Sequence, residues 1–491
     1  MSKHFLHDIL HPKSIAFYGA NNKFASMGSS QFMNVINGEF KGNIYPIHRK
    51  LDSVMGLKTY KSISELPETP ELVVIVIPPK NVIQVFEECG EKGVKNIILG
   101  SGGFREMTGE RDNTYTEEIS NIADKYGMRF IGPNCLGFYN NWIYPEDDSK
   151  ILNTSIWSKI KRGNVSIVSQ SGTLSSHIFF DPEIIDFGLS KSISVGNEAN
   201  IDIVDCLEYF KQDEKTGVIG LYIEEIKRGK EFLNLAKNIT PKKPIVAIYA
   251  GGSEVTNRAI KSHTGAIGGN GKIYDAALKK AGIIKTELIE EFIDLAMVFS
   301  KGIIPKGKRL GIITNSGGPG TMIANLAEKK GLIVPVFSQS LQEKFKSMTP
   351  NTASHYNPLD VTFDRGVNNL YVTFPKMLMK SGEIDAIIIY GAFDMYATEK
   401  LFDQNERVKK FLERGLEIPE INQMAQMFIT PTLKASRKYS IPMFYVTTHS
   451  ISGPWAKTMR EYGANIFQLW DRPVRCIAKL CEYGEYQNRI S

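Results

Sequence analysis

The sequence predicts an α/β fold built from three successive doubly wound blocks. Three observations lead there. Short apolar runs alternate with amphipathic stretches along the whole chain. The length, 491 residues, suits roughly three domains of about 100–200 residues each. Finally, one pattern occurs twice. Gly163–Ser176 reads GNVSIVSQSGTLSS and Gly307–Ala324 reads GKRLGIITNSGGPGTMIA. Each has a basic or polar lead, an apolar strand, a Ser-Gly turn and a helix start of small residues.

The first block covers residues 1–145 and is Rossmann-like. Its predicted strands are Ser14–Tyr18, Asn43–Ile47, Leu72–Ile77, Asn96–Leu99 and Arg129–Ile131, with helical patterns such as Val82–Lys92 and Thr116–Tyr126 between them. The second block, residues 146–300, has strands at Val165–Val168, Ser192–Ser194, Val218–Ile223 and Ile245–Tyr249. A linker-like stretch, Gly302–Gly307, precedes the third. That block, residues 301–491, has strands at Arg309–Thr314, Ala386–Tyr390 and Pro442–Val446.

Composition narrows the function. With 42% hydrophobic and 23% charged residues the chain reads as a soluble globular protein. The net charge of +6 is spread along the chain. It fits an anionic small ligand and not a nucleic-acid track, which needs clustered Lys and Arg. The five cysteines are scattered, form no C-x-x-C pair and are odd in number. Neither a disulfide framework nor a metal site is expected, and the compartment reads as reducing and cytoplasmic. No apolar run reaches about 18 residues, so no membrane span is expected. The polar start, Met1–His11, does not read as a signal peptide.

Ligands of open α/β sheets sit beyond the carboxyl ends of the strands, so the turns there matter most. The first strand is followed by Gly19, Ala20, Asn21 and Lys23, then Ser26, Gly28 and Ser29 at a helix start. Backbone N–H groups and a helix dipole at that place suit a phosphate. The spacing is not G-x-G-x-x-G, and the next strand ends in His48-Arg49-Lys50 where a dinucleotide enzyme carries an acid. Cations there suit a ribose bearing phosphate, as in CoA or NADP. Ile77-Pro78-Pro79, Ser101-Gly102-Gly103 and Gly132-Pro133-Asn134 close three more strands. Singly they are loop punctuation, and together they outline a cleft floor.

Ser171-Gly172-Thr173 and Gly317-Gly318-Pro319-Gly320 open helices in the second and third blocks. Each alone resembles an ordinary N-cap, but the repetition points to paired phosphate cradles. His263 lies in Lys261-Ser262-His263-Thr264-Gly265-Ala266-Ile267-Gly268-Gly269, a loop of small residues suited to carrying a nucleophilic imidazole. Such an imidazole needs an acceptor on its second nitrogen. Glu224 or Glu225, just after a strand, are the candidates.

In this order the motifs resemble the α subunit of ADP-forming (NDP-forming) acyl-CoA synthetases, in the succinyl-CoA synthetase superfamily. The resemblance covers nearly the whole chain and is most specific at Lys261–Gly269. Ser169–Thr173, Ser194–Glu198, Tyr222–Glu224, Gly132–Asn134, Asn315–Gly320 and Asn357–Asp360 match in order. It implies a CoA-binding domain followed by two flavodoxin-like ligase domains. It also implies that His263 is phosphorylated in turnover and that Glu224 orients it. Ser171, Gly172, Thr173, Gly317, Gly318 and Gly320 would hold phosphate. CoA would be bound by Gly19, Ala20, Asn21, Lys23, Ser26, Lys50, Ile77, Pro78, Pro79, Ser101, Gly102, Gly103 and Asn134, the last near the thiol. The implied reaction converts a carboxylic acid, CoA and a nucleoside triphosphate into acyl-CoA, nucleoside diphosphate and phosphate.

The chain departs from the family at His48-Arg49-Lys50, where asparagine and proline commonly precede lysine. It also departs at Asn200, where an acid is frequent, and at Gly268, usually alanine. No P-loop and no room for an ATP-grasp module follow the third block. The resemblance therefore implies a separate ATP-grasp β subunit that binds ATP or ADP with Mg2+, in an α2β2 assembly. Two other readings compete: a CoA-binding regulatory paralogue without turnover, and an NADP-dependent oxidoreductase built on the first block.

Overall fold

The computed structural model describes residues 3–23, 26–104, 111–156, 160–177, 187–256, 270–362, 366–391 and 418–490. The chain packs as two compact units, Met1–Pro182 with Phe187–Phe292, and Glu183–Asp186 with Ile293–Ser491.

Among the described residues the first unit holds two large sheets and a two-stranded hairpin. In the first, β1 (Ser14–Tyr18), β2 (Asn43–Ile47), β5 (Leu72–Ile75), β6 (Asn96–Leu99) and β7 (Arg129–Ile131) run parallel in the order β2-β1-β5-β6-β7. A small hairpin of β3 (Ser53–Val54) and β4 (Leu57–Lys58) follows β2. Every residue of β1 is buried because helices cover both faces of the sheet. Ile15 and Phe17 enter one apolar cluster, Ala16 and Tyr18 the other, as the two-residue period of a strand requires. Strand β5 stops at Ile75, two residues short of the expected Ile77. The Val76 amide still donates to the Tyr18 carbonyl, but the Ile77 amide turns to Ser101 Oγ (3.0 Å).

The second sheet contains β8 (Gly137–Asn140), β9 (Leu152–Asn153), β10 (Arg162–Ser169), β11 (Leu189–Ser194), β12 (Val218–Ile223), β13 (Ile245–Tyr249) and β14 (Ile284–Thr286) in the order β14-β13-β12-β10-β11-β8-β9. Strands β10 to β14 are parallel, and β8 lies antiparallel against β11. All of β11 is buried, including Lys191, whose ammonium pairs with Asp213 at 2.8 Å. Burial pulls the Lys191 pKa down while Asp213 holds the charge in place.

Among its described residues the second unit has one parallel sheet: β15 (Leu310–Thr314), β16 (Leu359–Asp360), β17 (Ala386–Tyr390), β18 (Met443–Val446) and β19 (Asn465–Phe467), in the order β16-β15-β17-β18-β19. Here Arg472 and Asp294 form a two-pronged ion pair at 2.5 and 2.9 Å, with the carboxylate buried. Arg472→Met keeps the aliphatic stem but removes the ion pair from that buried carboxylate. It is expected to destabilise this unit by about 3 kcal/mol, seen as a lower urea midpoint.

Counting each sheet's parallel strands in chain order, all three read second, first, third, fourth, fifth. The chain therefore switches direction beside the first strand of each sheet. A crevice opens there beyond the carboxyl ends of the first and third strands. The turns after β1, β10 and β15 occupy those three places.

Candidate active site

The turn after β1 is closed by its own side chains. Gly19 has φ +99°, and a Cβ there would overlap the Val76 carbonyl oxygen. The turn thus rests directly on the end of β5. Ser26 caps the helix Met27–Asn37, accepting from the Ser29 amide. Its hydroxyl also meets Asn21 Nδ2 (3.0 Å) and Ser29 Oγ (2.7 Å). The Lys23 amide donates to Asn21 Oδ1 (2.7 Å), and the Lys23 side chain is exposed. Ala20 is buried beneath the turn. Asn22 ties it to the β3–β4 hairpin through the Ser53 carbonyl (3.1 Å) and the Met55 amide (2.9 Å).

Beyond β2, His48 Nδ1 accepts from the amides of Lys50 (3.1 Å) and Leu51 (3.0 Å), shaping the bend that leaves Lys50 exposed. Ile77 and Pro79 are half-buried and Pro78 is exposed at the end of β5. Ser101 Oγ holds the Ile77 amide, and the Ser101 carbonyl accepts from the Asn134 amide (2.9 Å). Gly102 lies against the Asn134 side chain, Gly103 has φ +87° and Asn134 itself φ +58°. Hydrogen bonds and close approaches thus join the turns after β1, β5, β6 and β7 along one edge. With CoA on this edge, as the resemblance implies, Gly19→Val is expected to abolish its binding, because neither the positive φ nor the Val76 contact admits a branched side chain. Calorimetric titration with CoA checks this.

The Ser-Gly turns after β10 and β15 share one local device. Ser169, the last residue of β10, donates its hydroxyl to the Ser171 carbonyl (2.6 Å). Thr314, the last of β15, does the same to Ser316 (2.7 Å). Their helix starts then differ. Ser171 Oγ accepts from the Leu174 amide (3.3 Å), an ordinary cap. Gly172 rests against the Leu136 side chain, two residues beyond Asn134, and Thr173 is exposed. Ser316 makes no side-chain cap bond to the helix Gly317–Lys329, and Gly318 has open space where a side chain would be. Gly317 lies beside the Asp360 carboxylate and Gly320 against Thr314. In this 13-residue helix Pro319 has no N–H and the Gly320 amide already donates to the Ser316 carbonyl, so the amides of Gly317 and Gly318 are the first-turn donors a phosphate could meet.

Glu224 follows β12 and is 5% exposed. Tyr222 is hydrogen-bonded to it; burial first, then that carboxylate, pushes the phenol up to about 12. Glu225 is half-buried. His263 lies outside the described residues. The chain leaves for that segment at Gly252 and returns at Asn270, where the two strands of backbone form a bridge. Tyr249 and Tyr274 stack beside this base, 4.0 Å apart, and Tyr274 Oη accepts from the Ile226 amide (3.1 Å).

Two buried residues were not assigned from sequence. Gln170 Oε1 accepts from the amides of Glu224 (2.5 Å) and Glu225 (3.1 Å), and its Nε2 donates to the Glu225 carbonyl (2.7 Å) and to Glu198 Oε2 (2.9 Å). Glu198 has φ +54°, and its other oxygen accepts from the Ile203 amide (2.9 Å). Burial raises its pKa to about 8, against the opposing pull of Lys227. The Ser-Gln-Ser-Gly spelling and the acid after Gly196-Asn197 were the available signals. Neither distinguishes a buried side chain from a surface one. Among the described residues no group of three or more His, Cys, Asp or Glu is placed to hold a metal ion, and no helix is long and apolar enough to cross a membrane.

Three doubly wound sheets, each with a phosphate-suited or ligand-suited turn at its switch point, define a chain of the succinyl-CoA ligase class. Family models agree: one for a CoA binding domain matches residues 13–141, and one for a succinyl-CoA ligase like flavodoxin domain matches residues 162–299. The chain is 39% identical over 378 residues to the acetate–CoA ligase (ADP-forming) II subunit alpha of Pyrococcus furiosus, covering 77% of this chain and 80% of that protein. It is 41% identical over 359 residues to the acetate–CoA ligase (ADP-forming) of Methanocaldococcus jannaschii, covering 72% of this chain but 49% of that protein. In structure it resembles the Ca. Korarchaeum cryptofilum dinucleotide forming acetyl-coenzyme A synthetase 1 in complex with phosphate and ADP. The TM-score is 0.82 at 28% identity, over 99% of this chain and 98% of that one. The chain belongs to the family of ADP-forming acyl-CoA synthetase α subunits.

Proposed function

We propose that this chain binds CoA and carries a phosphohistidine within an ADP-forming acyl-CoA synthetase, converting a carboxylic acid, CoA and ATP into acyl-CoA, ADP and phosphate. One observation carries the reading. Within the first unit, the Asn134 end of the cleft, the Gly172 turn and the Glu224 peptide are bonded or packed into one framework. That framework joins the Asn134 turn, the Gly172 turn and a buried carboxylate, which supports reading them as parts of one site.

In the synthetic direction an imidazole nitrogen of His263 attacks the γ-phosphorus of ATP, and ADP leaves. Glu224 accepts the hydrogen bond of the other ring nitrogen and so stabilises the charged ring. The phosphoryl group passes to the carboxylate of the acid, giving an acyl phosphate and restoring His263. The CoA sulfur then attacks the acyl carbon and phosphate leaves, the thiol proton passing to solvent or phosphate. Ser171, Gly172 and Thr173 form one phosphate-binding turn, and Gly317, Gly318 and Gly320, within their own unit, form a second. Gly19, Ala20, Asn21, Lys23, Ser26, Lys50, Ile77, Pro78, Pro79, Ser101, Gly102, Gly103 and Asn134 form the CoA cleft. Nucleotide and Mg2+ are held by an ATP-grasp β subunit in an α2β2 assembly. The five free cysteines support reading the compartment as a reducing cytoplasm.

The test is a ligase assay with an ATP-grasp subunit, CoA, ATP and a panel of carboxylic acids beginning with acetate. ADP release that depends on both CoA and the acid is expected. CoA binding without turnover of any acid would favour a regulatory paralogue.

A further inference from the structure

If Glu224 orients the imidazole, something must hold Glu224, and the hydrogen bonds trace what does. The peptide of Glu224 donates to Gln170 Oε1, and Gln170 is oriented unambiguously because two amides face that oxygen. Its Nε2 is held in turn by Glu198 Oε2. Glu198 sits on a turn that interlocks with the CoA cleft. A Cβ on Gly196 would overlap the Pro133 carbonyl oxygen. The Asn197 amide donates to Pro133 (3.0 Å) and the Ala199 amide to Gly132 (3.0 Å). Asn134 Nδ2 donates to Asn197 Oδ1 (3.4 Å). Lys227 clamps the same turn through the carbonyls of Asn197 and Glu198, both at 2.8 Å. A carboxyl buried in a left-handed backbone conformation, with both oxygens accepting, is costly unless the surroundings fix it.

We propose that Glu198 is a positioning residue for the phosphoryl-transfer step. Its buried carboxyl holds Gln170, Gln170 fixes the Glu224 peptide, and the carboxylate that meets the imidazole is thereby set in register with the Asn134 end of the CoA cleft. The inference rests on reading Glu224 as the acceptor of His263. Glu198→Gln preserves shape but not bonding. The new amide must aim its NH2 either at the Gln170 NH2 or at the Ile203 N–H, so one contact becomes donor against donor.

The experiment follows acid-labile radiolabelled phosphate on the full chain given inorganic phosphate and an acyl-CoA, acetyl-CoA first in a panel, alone and with an ATP-grasp subunit. CoA affinity is measured in parallel. Glu198→Gln and Gln170→Leu are each expected to slow labelling about tenfold by misplacing Glu224, with CoA affinity within about twofold. The double variant should be no slower than Gln170→Leu alone, since both act through one link. Wild-type labelling in Glu198→Gln, losses that multiply in the double variant, or CoA affinity falling in step with labelling would each overturn the proposal. His263→Ala separates the two levels. Label retained in that variant, or none on the wild-type chain under either condition, defeats the phosphohistidine reading itself. Label lost there but normal in Glu198→Gln defeats only the role of Glu198.

Discussion

Replacing His263 by alanine is expected to lower acyl-CoA synthesis by about four orders of magnitude or more while leaving CoA affinity unchanged. A covalent carrier has no substitute once its nucleophile is gone, and five of the other histidines are committed elsewhere. His11 bonds the His7 carbonyl and Asn140 and is driven down to about 4, chiefly by burial. His7 stacks on it at 4.1 Å. His4 accepts from the Leu6 amide, His48 from the amides of Lys50 and Leu51, and His355 meets Thr349 Oγ1 at 2.7 Å. The proposed CoA cleft is built from the turns after β1, β2, β5, β6 and β7, none of which contains His263. Turnover assays and CoA titration on the same preparation check both halves. Appreciable synthesis by the variant would remove histidine phosphorylation from the mechanism.

The second large effect is expected at Glu224. Glu224→Gln should slow phosphorylation about a hundredfold or more, by analogy with amide replacement of the carboxylate that orients a catalytic imidazole. The chain should still fold, because the substitution is isosteric and the Glu224 peptide stays bonded to Gln170. A neutral amide accepts a weaker hydrogen bond from the ring and cannot stabilise its positive charge. Tyr222, no longer beside a carboxylate, should titrate lower than in the parent, since Glu224 contributes to its raised pKa. Initial rates of label incorporation measure the first effect and ultraviolet titration the second. An unchanged rate would shift the role to Glu225.

The central strands were legible because each is a short, uninterrupted apolar run between turn residues. β1, β6, β12, β13 and β17 show this most clearly. The strands that escaped notice lack that signal. β14 and β19 have three residues each and β16 has two. β8 becomes a strand only by pairing with Leu189–Ser194 far along the chain. β11 begins at Leu189, three residues before the expected Ser192, and its Lys191 is buried with Asp213 as its ion-pair partner and β8 alongside. The turns at the switch points were visible as glycine and serine clusters, since those residues advertise unusual backbone or close approach. Glu198 was not, because its burial comes from Gly196 packing on Pro133, a contact between distant segments. The different capping of Ser171 and Ser316 was likewise beyond reach, since both spell a serine before glycine.

One measurement bears most directly on the phosphohistidine. The purified chain is incubated with radiolabelled phosphate and a panel of acyl-CoAs, without nucleotide, and label and free CoA are followed together. The expected result is acid-labile phosphate on His263, with CoA released by the acyl-CoA that carries the right acyl group. No label with any acyl-CoA, and none when an ATP-grasp subunit and ATP are added, would contradict it and leave a CoA-binding protein without turnover.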